Sequence, residues 1–274
     1  MTTPEIAVVT DEVADTFGGA LAFARRHGLS RVELREEWGV GRFPFFSDAA
    51  FAALADARAD GIAVTAVSPG VFKGGFADTA RLARELRDTL PRTLDAAVRV
   101  GAATVVVFGF ERPAPGADGR RTDTADRARA ADVLRAAATM AAGAGLTVAV
   151  ENEPGFWIDT PAESAALVAE TGHPALRLNW DPANLHWGGL TPTAADVATL
   201  APHLGGLHVK DFYPADPGAP WRALGDGVTP WPPLLRAIAA LGTLPHVTLE
   251  THTLPRADAS ERSLAVLRRW LADA

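Results

Sequence analysis

Glycine punctuates this chain at intervals that leave few folds available. Residues 28, 61, 101, 145, 172, 205 and 242 are Gly, and each closes a stretch rich in Ala, Leu and Arg. Each is also followed by a short apolar run: RVEL, AVTAV, TVVVF, LTVAV, LRLNW, LHV and VTLE. A helix that ends in the left-handed conformation favours Gly there, because a Cβ is strained at positive φ. Seven such turns, added to EIAVVT near the amino terminus, give eight strands alternating with helices. The turns recur every 27 to 44 residues, which suits βα units, and right-handed crossovers make the resulting sheet parallel. Eight units in 274 residues predict a single α/β domain over residues 1–274, a closed (β/α)8 TIM barrel. The competing fold, an open doubly wound sheet for a dinucleotide, needs a glycine fingerprint. The first strand instead runs into TDEVADTFGG, with no GxGxxG, and no GxxxxGK[ST] occurs anywhere. Pro91 falls inside a helical stretch over 78–100 and is expected to kink or split it.

Loop lengths orient the barrel. The helix-to-strand turns are short, whereas EEWGVGRFPFFS, SPGVFKGGF, FERPAPGADGRR and DFYPADPGAPWRALGDGV are long strand-to-helix connections. Extra backbone on that side marks the carboxyl-terminal face as the functional one.

Charge and composition exclude several classes of partner. The net charge of −7 and the absence of a basic stripe argue against nucleic acid. No run of 18 apolar residues exists, and MTTPEIAVV lacks the regions of a signal peptide, so a cytoplasmic protein without a membrane partner is expected. With no Cys there is no disulfide, thiolate nucleophile or thiolate zinc site. Any metal must be held by carboxylate, imidazole or carbonyl groups. The oligomeric state, a homo-oligomer included, is left open.

Four strands deliver a candidate metal ligand at or near their carboxyl ends: Glu151 after LTVAV, Asp181 after LRLNW, His208 within GGLHVK, and Glu250 after HVTL. Strand side chains alternate with a period of two. If Val148 and Val150 face the helices, Thr147, Ala149 and Glu151 face the axis; the same parity turns Gly206, His208 and Lys210 inward. Asp181 shares the parity of Asn179, and Glu250 that of Thr248. Three carboxylates gathered in a half-buried mouth repel one another unless one is protonated or a cation compensates. Three oxygen donors and one imidazole suit one divalent ion, Mn²⁺, Mg²⁺ or Co²⁺, with Zn²⁺ also admitted. Taken singly, Asp181 also reads as a turn or cap residue and His208 as a satisfied core histidine.

DEVADTF with VELRE, VAVENEPG, LNWDPAN, GGLHVKDF, LGDGVTPW and VTLETH together resemble the xylose-isomerase-like TIM barrels of the sugar-phosphate isomerase/epimerase group. The resemblance runs through nearly the whole chain and rests on order and spacing more than on any single motif. It implies one divalent metal on Glu151, Asp181, His208 and Glu250, with Glu151 and Glu250 also the acid/base pair. It further suggests Glu33 and Arg222 as substrate contacts. Two positions depart from the sugar-epimerase pattern: Asn184 and Trp157 stand where a His and an acid are common.

The chemistry also follows from the residues themselves. A proton beside a carbonyl is weakly acidic; chelation by a metal stabilises the developing enediolate, and two carboxylates can remove and return the proton. The expected activity is therefore isomerase or epimerase chemistry on a small carbohydrate or hydroxy-keto substrate. A lyase acting on a keto-inositol-type compound and a non-catalytic metal- and sugar-binding barrel are the alternatives. Three-zinc endonucleases of this fold need more strand-end His and a basic mouth. Lys210 is read as polarising a substrate oxygen or pairing with Glu250 or Asp211. Trp221 is read as stacking on a sugar or anchoring its loop, and Asn184 as bonding a hydroxyl or shaping a turn. For Glu33 the competing reading is a salt bridge to Arg35 or another Arg. Glu12 and Trp38 are placed at the mouth, and His186 and His252 beside the ligands. His27, His173, His203 and His246 are placed on the surface of the opposite face.

Overall fold

Branched aliphatic residues alternate along much of the strands, and the computed structural model, which describes residues 3–113, 124–216 and 218–274, uses that alternation to separate two apolar layers. Residues 114–123, which include most of the FERPAPGADGRR connection, lie outside the described residues. The barrel strands are β1 (Glu5–Val9), β2 (Arg31–Leu34), β3 (Ala63–Val67), β4 (Thr104–Phe108), β5 (Thr147–Glu151), β6 (Leu176–Trp180), β7 (Leu204–Val209) and β8 (His246–Leu249). They close in sequential order, with β1 paired to both β2 and β8, and every pairing is parallel. Val148, Val150, Leu207 and Val209 join the buried cluster formed with the surrounding helices. Ala149 is equally buried but lies outside that cluster, on the axis side with Glu151.

The helices begin and end where their polar residues dictate. Thr16, Ser47, Thr160 and Thr193 each accept a hydrogen bond from the backbone N–H three residues on, capping Phe17–Arg26, Asp48–Ala59, Pro161–Thr171 and Ala194–Leu200. Gly101, Gly172 and Gly242 close their helices in the left-handed conformation. Gly28, Gly61 and Gly145 also have positive φ. Gly205 differs from expectation: it lies inside β7, where a Cβ would come 2.5 Å from the Cβ of Arg177 on β6. Close approach of two strands, not a left-handed turn, demands Gly there. The helical stretch after β3 is split as expected, into Thr79–Arg84, a π-helical turn Glu85–Thr89, and Leu90–Val100 with Pro91 in its first turn. Proline has no N–H to close the ladder, and a π turn accommodates the missing bond.

The strand-to-helix connections carry extra elements on the carboxyl-terminal face. These include the hairpins Glu36–Glu37 with Gly41–Arg42 and Asp211–Phe212 with Trp221–Arg222, and the short helix Pro182–Trp187. No helix among the described residues is long and apolar enough to cross a membrane.

The packing around two glycines gives opposite expectations. Gly205→Ala forces apart β6 and β7 and should lower stability by about 1–3 kcal/mol. Gly18 lies in a helix with nothing within 4 Å of a added Cβ, so Gly18→Ala should raise stability by roughly 0.4–1 kcal/mol. Thermal unfolding of both variants checks the signs.

Candidate metal centre

The last four strands bring four donors to one point. Glu151 ends β5, His208 lies in β7, and Asp181 and Glu250 each stand one residue beyond β6 and β8. One ligand atom from each lies within 4.8 Å of the others, and all four residues are buried. Asp181 is both cap and donor. Its Oδ1 accepts from Asn184 N at 2.9 Å, while Oδ2 lies 2.8 Å from Lys210 Nζ. Lys210 Nζ also reaches Glu250 Oε2 at 3.1 Å. His208 Nδ1 lies 3.2 Å from Glu151 Oε1 and 3.4 Å from Glu250 Oε2.

The electrostatics are those of negative charge held out of water. Burial pushes the Asp181 carboxyl up, and the nearby Glu151 and Glu250 add to that, against the pull of Lys210 and His208. Burial acts likewise on Glu250, but Lys210, His252 and His208 overcome it and hold its carboxyl well below the ordinary range. Burial disfavours a charged His208, yet Glu151, Glu33 and Glu250 raise it well above the usual imidazole value. Asp11, Glu12, Glu33, Glu151, Asp181 and Glu250 are all buried here; among the described residues the permanently charged side chains paired with them are Arg35 and Lys210, joined by the imidazoles of His208 and His252. The four donors are of a kind that could hold a metal ion.

Neighbouring groups fix the donors in place. The Asn152 side chain clasps the backbone of Asp181, accepting from its N–H at 2.7 Å and donating to its carbonyl at 2.9 Å. Arg35 links Glu250 Oε1 at 2.5 Å to Asp11 and Glu12. His252 Nδ1 lies 2.9 Å from Glu12 and Nε2 3.3 Å from Glu250. Burial opposes its charge, but Glu250 and Glu12 bring His252 up to about 9. Asp211 accepts from the backbone N–H of Phe212, Gly225, Gly227 and Thr229, pinning the long loop after β7. A Cβ on Gly227 would sit 2.2 Å from that carboxylate, so the wrapped loop needs Gly.

A cavity of about 400 Å³ opens onto this centre, its wall including Glu12, Trp38, Glu151, Lys210, Glu250 and His252. Lys210 is paired with Asp181 and Glu250 rather than Asp211, and its Nζ lies 4.6 Å from the ring centroid of Trp221. Trp221 packs at the rim between Trp187 and His252.

Three expected substrate contacts are turned to other partners. Glu33 is not on the cavity wall; it lies against His208, and Arg35 goes to Asp11, Glu12 and Glu250 instead. Asn184 is buried and donates Nδ2 to the Asn152 carbonyl at 2.9 Å, tying two loops together. Arg222 is tied to its own loop through Asp216 at 2.9 Å and the carbonyls of Ala219 and Trp221. His186 packs on Phe212, away from the four donors. His27, His173, His203 and His246 are half-buried rather than fully exposed, and His27 pairs with Glu261 at 2.9 Å. Sequence reasoning missed Asn152 and Arg35. The signal for Asn152 was its place directly after Glu151, where the strand ends and the connection begins; Arg35 entered only as a salt-bridge partner for Glu33.

The model of the xylose isomerase-like TIM barrel family matches residues 21–270. A curated relative, 2-epi-5-epi-valiolone 7-phosphate 2-epimerase of Actinoplanes sp., is 30% identical over 142 residues, 52% of this chain and 48% of that protein. The match thus spans about half the length of that relative. Among solved structures, 3-keto-D-glucoside 4-epimerase from E. coli superposes with a TM-score of 0.76 at 20% identity, covering 97% of this chain and 99% of the other. The IOLI protein with a binding zinc atom gives 0.78 at 15% identity, covering 98% of each chain. At these identities the structural likeness speaks to the fold alone.

The Asn152 clasp gives a stability test that needs no ligand. Asn152→Ala leaves the buried N–H and carbonyl of Asp181 without that partner and should cost about 1–3 kcal/mol, read by urea unfolding.

Proposed function

Because the chain belongs to the xylose isomerase-like TIM barrel family, we propose that it is a divalent-metal-dependent isomerase or epimerase of a small sugar or hydroxy-keto compound. The observation that carries this reading is the buried quartet Glu151, Asp181, His208 and Glu250, whose donor atoms fall within one ion's reach. The donor set fits a dication: three carboxylates and an imidazole, with more buried negative charge around them than Arg35 and Lys210 balance. Relatives named as epimerases, and one named for its bound zinc, support the same reading. When bound, the ion supplies a Lewis acid that lowers the cost of negative charge developing on a substrate oxygen.

The chain's own groups then do the rest. Glu151 and Glu250 project from β5 and β8, three strands apart around the barrel, and serve as the groups that take a proton from carbon and give one back. Arg35 and His252 hold Glu250 from its outer side, so its carboxylate has little freedom to swing away from the reacting carbon. Trp38 and His252 contribute to the cavity wall. Lys210, fixed by its backbone carbonyl to Trp231 Nε1 at 2.8 Å, faces the cavity and orients a substrate oxygen.

Calorimetric titration of the metal-stripped chain with Mn²⁺, Co²⁺, Mg²⁺ and Zn²⁺ should show one site per chain, abolished in Asp181→Asn and His208→Asn. A ketose panel in D₂O should then show deuterium entering beside the carbonyl, with Glu151→Gln and Glu250→Gln each slowing turnover by about 10²–10⁴-fold. Loss of water without isomerisation would make the protein a lyase, and saturable binding with neither outcome would make it a sensor. No dication uptake would refute the proposal.

A further inference from the structure

An imidazole has two nitrogens, and the one available to a cation is decided by the hydrogen bond the other makes. His208 makes contacts from both. Nδ1 faces Glu151 and Glu250, two members of the donor quartet, at 3.2 and 3.4 Å. Nε2 faces Glu33, lying 3.1 Å from each of its carboxylate oxygens. Glu33 belongs neither to the quartet nor to the cavity wall. It comes from β2, which is not a neighbour of β7 in the barrel, so the contact crosses the interior and owes nothing to strand pairing.

We infer that Glu33 is the positioning residue of His208: its carboxylate holds the ring by Nε2–H, leaving Nδ1 to face the cation. The inference rests on the metal-dependent reading above. Both side chains are almost wholly buried, at 3% and 2% exposure, so water does not compete for the contact. In such surroundings an ionisable group is retained only when its partner is fixed, and the imidazole is the partner. Rotating the ring by half a turn would set a carbon against the Glu33 carboxylate and withdraw Nδ1 from the quartet. The arrangement therefore fixes one ring orientation before any ion arrives, and when a cation takes the place of the proton on Nδ1 the remaining proton is the one held by Glu33. Both carboxylate oxygens of Glu33 are turned to His208 Nε2, and Glu33 does not line the cavity, so its contacts are those of a positioning group.

The test uses the full chain as wild type, Glu33→Ala and Glu33→Gln, with Zn²⁺ affinity measured by competition against a chelating dye and folding checked by circular dichroism. Glu33→Ala should weaken Zn²⁺ binding by about 10–100-fold, and Glu33→Gln by less, since an amide oxygen still accepts from Nε2–H. In ¹⁵N-histidine-labelled, Zn²⁺-loaded wild type, the His208 signal, assigned by its loss in His208→Asn, should carry its proton on Nε2. Unchanged Zn²⁺ affinity in both variants, a raised KM with unchanged affinity, or a proton on Nδ1 would each overturn the inference while leaving the metal site standing. If Glu33→Ala does not fold, Glu33→Gln and the labelled wild type decide. Failure of the wild type itself to bind Zn²⁺, Mn²⁺ or Co²⁺ would refute the metal reading and this inference together.

Discussion

Negative charge confined at the mouth of an apolar barrel is the constraint around which this molecule is organised. Glu151, Asp181 and Glu250 are each no more than 4% exposed, and for Asp181 and Glu250 burial by itself favours the protonated carboxyl. The chain counters this with cations aimed at particular oxygens. Lys210 bridges Asp181 and Glu250, His208 faces Glu151 and Glu250, and Arg35 approaches Glu250 from the side of Asp11 and Glu12. Glu151, Asp181, His208 and Glu250 together form a group that could hold a metal ion. An apolar barrel with ordinary loops would have no use for it.

Keeping such groups together against their repulsion requires a stiff frame, and the frame is built from backbone as much as from side chains. Asn152 and Asn184 stitch the connection after β5 to the one after β6, and Asp211 gathers four amide groups of the loop after β7. Glycines stand where another group must come close: Gly227 against Asp211, Gly206 against Asn179. His252 adopts a φ of 52°, sparsely populated for a residue with a side chain, and is held there by its N–H to Glu12 at 2.7 Å.

Much of this was legible in the residues. The left-handed helix ends at Gly28, Gly61, Gly101, Gly145, Gly172 and Gly242 follow from local sterics, so six of the seven anticipated turns carry the expected conformation. The parity of β5 and β7 was legible because an apolar outer face leaves no freedom about which side turns inward. Gly205 was misread, since the same residue serves a left-handed turn and a tight strand crossing, and sequence does not tell them apart. Glu33 and Arg222 were read as substrate contacts from the family resemblance, and Asn184 from its place three residues after Asp181. Their bonds to His208, to the Asn152 carbonyl and to Asp216 depend on contacts between distant segments.

By itself the sequence determined the (β/α)8 repeat, the face on which the long connections gather, and the inward aim of Glu151 and His208, because helix caps, turn glycines and strand alternation are local properties. Only the tertiary structure decided how far apart the four donors stand, that Lys210 pairs with Asp181 and Glu250, and that Glu33 grips His208 from across the barrel. Those facts are set by barrel closure and shear, which bring residues as remote as 33 and 208 within a hydrogen bond, and no local pattern encodes such a distance.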